Sequence, residues 1–118
     1  CLLHLDVNNI YVNSRNFGFD PHACLRQLPL ERTCYVHVAG HYVEEDGLLV
    51  DTHGSDVIDP VWQLLSEAYA HIGHAVPTCL ERDFNIPDLP TITQEVAQIT
   101  RLQHAAFGAQ STPQRRVA

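Results

Sequence analysis

Asp51-Thr52-His53 sets a carboxylate and an imidazole two residues apart. In an extended segment that spacing turns both side chains to the same side. Other residues of the same chemical kind gather where short apolar runs stop. Leu2–Val7 runs into Asp6, Asn8 and Asn9; Thr33–Val38 carries His37 and is followed by His41; Pro77–Leu80 is followed by Glu81 and Asp83. Carboxylate, amide and imidazole are the donors that suit iron, manganese and zinc, and no sulfur stands among them. A carboxylate can also bridge two ions and hold them close together. Taken singly, each residue has a plainer reading. Asp6 could cap a loop, and Asn8 and Asn9 are common turn formers. His37 could be a core histidine, His41 a loop residue, Asp51–Gly54 a turn, and Glu81 the partner of Arg82. The case for metal chemistry rests on their shared placement.

That placement follows from the elements. Leu2–Val7 reads as a buried strand entering a loop, and Thr33–Val38, β-branched and aromatic, as a second strand. Asp20-Pro21 is an N-cap followed by a proline suited to the first helical position. The pair opens a helix that Pro29 stops. Residues 42–58 form a long connection with a strand-like piece at Leu48–Val50, and ordered connections of that length are usually functional. Asp59-Pro60 repeats the cap-and-proline signal. Val61, Leu64, Leu65, Ala68, Tyr69 and Ile72 then make an amphipathic stripe, ended by Gly73. Pro77–Leu80 is the third strand. A last helix from about Thr91 presents Ile92, Val96, Ile99 and Leu102. The expected domain is 1–107, with 108–118 a disordered polar tail. The order β-α-β-α-β-α means a parallel sheet with crossover helices. In such folds the active site lies at the C-terminal ends of the strands.

The 118 residues carry a formal net charge of −7, which argues against a nonspecific nucleic-acid binder. No apolar run reaches the roughly 18 residues that span a bilayer, and no basic stretch precedes the apolar start as in a signal peptide. Cys1, Cys24, Cys34 and Cys79 form no tight metal motif and read as reduced, mostly buried thiols, as in a cytoplasmic protein. Five of the eight histidines, His4, His22, His71, His74 and His104, fall where they suggest no chemistry.

The chain resembles a known family in LDVNNIYVNS (5–14), GFDP (18–21), LPLER (28–32), YVHVAGHY (35–42), DGLLVDTHG (46–54), DPVW (59–62) and LERDFNIP (80–87). These segments look like the multinuclear non-heme iron-dependent oxidases that modify cysteine residues of ribosomally synthesised peptides, often with a partner protein. The likeness runs from about Leu2 to Val96.

The resemblance implies an α/β fold, the last three βα units of a xylose-isomerase-like TIM (β/α)8 barrel, with two or three metal ions at its mouth. It implies iron, with zinc or manganese as alternatives, and the oxidation of a substrate cysteine by dioxygen. The superfamily also holds endonuclease IV enzymes, whose ligand order implies Asp6, Asn9, His37, Asp51, His53 and Glu81 as metal ligands here. His41 is then the candidate for a supporting role in catalysis, beside a ligand, against substrate or in proton transfer. A whole barrel takes about 250 residues. The expectation is therefore a piece of a longer protein whose N-terminal barrel half completes the site, with a precursor peptide and a partner protein as its associates. The alternatives are a metal-dependent hydrolase or isomerase of the same superfamily, and a truncated relic without turnover.

Overall fold

The computed structural model describes residues 1–108. Three strands, β1 (Leu3–Asp6), β2 (Thr33–Ala39) and β3 (Thr78–Glu81), form a parallel sheet in the order β1-β2-β3. Four helices accompany them: α1 (Val7–Phe17), α2 (Pro21–Arg26), α3 (Asp59–Ile72) and α4 (Leu89–Phe107). The fold is mixed α/β, as the alternation predicts. Leu5, Val36 and Val38 point from the sheet into a core shared with Leu64, Leu65, Ala68 and Tyr69 of α3. The opposite face carries His4, Asp6, Tyr35, His37, Cys79 and Glu81, because side chains alternate along a strand and parallel partners share a face.

The sequence reading missed α1, which occupies the span expected to be a loop. Asp6 caps it, accepting from the Asn9 N–H at 2.9 Å, and Gly18 ends it in the left-handed region at φ 73°. Asn8, Asn9, Asn13, Ser14 and Asn16 are weak helix formers and hide the pattern. The helix stands because Val7 and Val12 are buried and the amides of Asn8, Asn9 and Asn16 bond outside the helix. Asn16, for example, both donates to the Leu49 carbonyl at 2.8 Å and accepts from the Leu49 N–H at 2.9 Å.

Asp20 caps α2 as expected. The stripe on α3 is buried at all six positions, and Gly73 ends the helix at φ 76°. Ile58, not Asp59, is its N-cap; Asp59 lies in the first turn, where a negative charge favours the helix dipole. The strand-like piece in the long connection finds a partner. Tyr42–Val43 and Leu49–Val50 pair antiparallel as a small hairpin whose turn holds Glu44, Glu45, Asp46 and Gly47.

Helix α4 begins at Leu89 rather than near Thr91, capped by Asp88 and with Pro90 in its first turn. Its inner face also departs from expectation. Ile99 is buried, but Val96 is exposed and Glu95 is buried in its place. Glu95 is drawn inward by the Val57 N–H at 2.8 Å and by Arg82 at 3.0 Å. The thiols depart too. All four are free, as expected of reduced thiols, but Cys1 and Cys34 are exposed and Cys24 and Cys79 only half-buried. No described helix is long and apolar enough to cross a membrane. The expected 108–118 tail lies, from 109 onward, outside the described residues.

Candidate metal centre

The strand register assembles the site. Asp6 lies opposite His37, His37 opposite Cys79, and Ala39 opposite Glu81. The three strands therefore present Asp6, His37 and Glu81 on one face at their C-terminal ends. One donor atom from each of these residues comes within 4.8 Å of the other two, and the same holds for Asp6, Asp51 and His53. Asp6 belongs to both groups. It stands where a carboxylate could bridge two ions.

His37 Nδ1 lies 3.0 Å from Glu81 Oε2. His53 faces carboxylates with both nitrogens: Nε2 is 3.1 Å from Asp51 Oδ1, and Nδ1 is 3.2 Å from Asp83 Oδ2 and 3.5 Å from Glu81 Oε2. Burial raises the Asp6 pKa above its usual value of 3.8, and the Asp51 charge raises it further against the Asn9 N–H bond. Oxygen and imidazole donors crowded round a carboxylate whose charge is disfavoured fit a divalent cation of the iron, manganese or zinc type, because the cation relieves that repulsion.

The Asp-x-His pair does not converge by alternation along an extended segment. His53 adopts φ 55°, left-handed for a residue that is not glycine. Its backbone is held from both sides, its N–H donating to the Gly40 carbonyl at 3.1 Å and its carbonyl accepting from the Asp83 N–H at 2.9 Å. His53 thus bridges the ends of β2 and β3. Gly40 permits this by lying directly against Ser55, and Gly54 by lying against the Phe84 ring.

The remaining expected site residues fall near this cluster. Asn9 is exposed; its amide nitrogen is 3.3 Å from Asp51 Oδ2, and its oxygen accepts from Asn13 at 2.9 Å. His41 is 8% exposed and lies outside both donor groups. Its Nδ1 is 2.9 Å from Asn8 Oδ1, and burial lowers its pKa, favouring the neutral ring. Sequence reading passed over two residues that touch the site. Asn8, set aside for Asn9, is fully buried and donates to Asp51 Oδ1 at 2.5 Å. His4 meets the His37 ring edge-on with centroids 4.2 Å apart. Its place two residues before Asp6 on the same strand face was the available signal.

The fold and the cluster define an α/β protein with carboxylate and imidazole donors gathered at the C-terminal ends of parallel strands. The chain belongs to the family of RiPP precursor modification enzymes MbnB/TglH/ChrH, whose model matches residues 1–104. It is 58% identical over 107 residues to a UPF0276 protein of Shewanella amazonensis, covering 91% of this chain and 38% of that one. It is 54% identical over 110 residues to a UPF0276 protein of Nitrosospira multiformis, covering 92% and 38%. It is 59% identical over 99 residues to one of Alcanivorax borkumensis, covering 84% and 33%. The chain thus spans between a third and two fifths of the length of these relatives.

Proposed function

We propose that this chain is the C-terminal part of a xylose-isomerase-like (β/α)8 barrel whose mouth holds a multinuclear iron centre, and that the whole protein oxidises a cysteine residue of a ribosomally synthesised precursor peptide. The observation that carries the reading is the sharing of Asp6 between two donor groups, one completed by His37 and Glu81, the other by Asp51 and His53. Family membership supports peptide modification. Iron, when bound, supplies the dioxygen-dependent redox chemistry.

The chain's own residues would do the rest. Asp6 would bridge two ions. His37 and Glu81 would hold one, and Asp51 and His53 the other; Asn9 would add an oxygen donor on turning its amide away from Asn13. His41 would serve beside these ligands or take a proton during turnover. The N-terminal barrel strands would complete the coordination and close the wall that excludes water. A precursor peptide and a partner protein are the associates that the reading requires.

The test is metal content and oxygen consumption, on this segment and on the longest natural form of the chain, purified without added metal. Two or three irons on the longer form, with dioxygen consumed when a cysteine-containing precursor peptide is added, is the expected result. Stoichiometric zinc without iron would overturn it in favour of a hydrolase or isomerase. No metal on either form would leave a relic without turnover.

A further inference from the structure

We propose that Asn8 is a positioning residue that sets the tautomer of His41 and holds one oxygen of Asp51, joining the two into one hydrogen-bonded unit. The Asp51 half rests on the metal-centre reading above; the His41 half does not.

Asn8 lies in the first turn of α1 and is fully buried. Its amide nitrogen meets two acceptors, Asp51 Oδ1 at 2.5 Å and the Gly40 carbonyl at 3.4 Å. Turning the amide over would set its oxygen against both of those oxygens, so the partners decide the orientation. Asn8 Oδ1 therefore faces His41 Nδ1, at 2.9 Å. An amide oxygen only accepts, so His41 Nδ1 must carry the proton. A neutral imidazole has one N–H, and Nε2 then keeps its lone pair. The Tyr11 ring packs beside the His41 ring with centroids 5.4 Å apart and limits its rotation.

The consequence is directional. Neutral His41 keeps Nε2 as its proton acceptor, and Asn8 holds the same Asp51 oxygen, Oδ1, that His53 Nε2 approaches at 3.1 Å. Groups that orient ligands in this way typically change metal affinity by roughly 10- to 100-fold when removed. Gly40 ties the unit to the backbone, because its carbonyl also accepts from the His53 N–H.

The experiment is nitrogen-15 NMR of the imidazoles in the metal-free longest natural form, with His41 assigned by its loss in His41→Gln, together with iron titration. The expected result is the Nδ1–H tautomer in the unsubstituted protein. Asn8→Leu, close in volume and without hydrogen bonds, should shift His41 away from that tautomer and weaken iron binding by roughly 10- to 100-fold. An Nε2–H tautomer in the unsubstituted protein overturns the proposal, and needs no variant to fold. So does an Asn8→Leu protein with unchanged tautomer and unchanged affinity. A protein that binds no iron but shows His41 as Nδ1–H supports the assignment made here and overturns only the iron reading.

Discussion

A Cβ built on Gly40 would lie 1.9 Å from the carbonyl oxygen of Ser55. No side chain is tolerated at that distance, so the connection carrying Asp51 and His53 lies directly on the end of β2. The contact lets the Gly40 carbonyl reach the His53 N–H at 3.1 Å. Gly40→Ala should push residues 51–56 away and cost on the order of 1–3 kcal/mol. Urea unfolding and metal titration on the same variant check this. Native stability with native metal binding would show that the approach is not needed.

Asp6 does two jobs that one substitution can separate. Asn caps helices about as well as Asp, so Asp6→Asn should keep α1 while removing the shared charge. The expected outcome is a thermal midpoint close to the original and loss of metal from both donor groups, at least roughly 100-fold in affinity. Loss from one group alone would show that Asp6 bridges nothing.

His53→Ala removes the imidazole between Asp51, Glu81 and Asp83. Oxygen consumption by the longest natural form should fall by at least roughly 100-fold. Unchanged consumption would remove His53 from the site.

Protons should compete with metal at Asp6. Because burial and Asp51 raise its pKa, the competition begins at a pH above 3.8, the usual value for an aspartate. Metal affinity should therefore fall with decreasing pH while the solution is still less acidic than 3.8. In the metal-free protein the sign reverses for this group. Its folded form binds the proton more tightly than the unfolded chain, so Asp6 adds stability as pH falls through that window. Metal titrations and metal-free unfolding over a pH series read both slopes.

Arg82 joins β3 to the site connection and to α4. Its side chain, 7% exposed, reaches Glu95, 11% exposed, at 3.0 Å and the exposed Asp56 at 2.7 Å. Removing one partner of a buried pair costs roughly 3–5 kcal/mol, and removing both costs less. Arg82→Met should approach the lower figure, and adding Glu95→Leu should recover part of the loss, as measured by urea unfolding. Equal losses in the single and double variants would show no coupling.

The strands could be read from the chain because β-branched and apolar runs end abruptly at Asp6, beyond His37 and at Glu81. Helix α3 was legible because Val61 to Ile72 keep one unbroken stripe. Helix α1 was not, since its asparagines are poor helix formers and the bonds of Asn8 and Asn16 go to Asp51, Gly40 and Leu49, residues more than thirty positions away. Missing the helix hid the difference between Asn8 and Asn9. Neighbours on a helix point about 100° apart, and here that turn leaves Asn8 buried and Asn9 exposed.

The chain by itself determined which donors are available and that parallel strands would carry them to one end, because hydrophobic patterning and capping act over a few residues. Tertiary structure alone decided how they meet. The sharing of Asp6, the left-handed turn at His53, the inward Glu95 and the Asn8 link between His41 and Asp51 all depend on groups distant in sequence. A backbone turn or a buried amide takes its conformation from whichever partner satisfies it, and that partner exists only once the sheet, α1 and the connection have packed together.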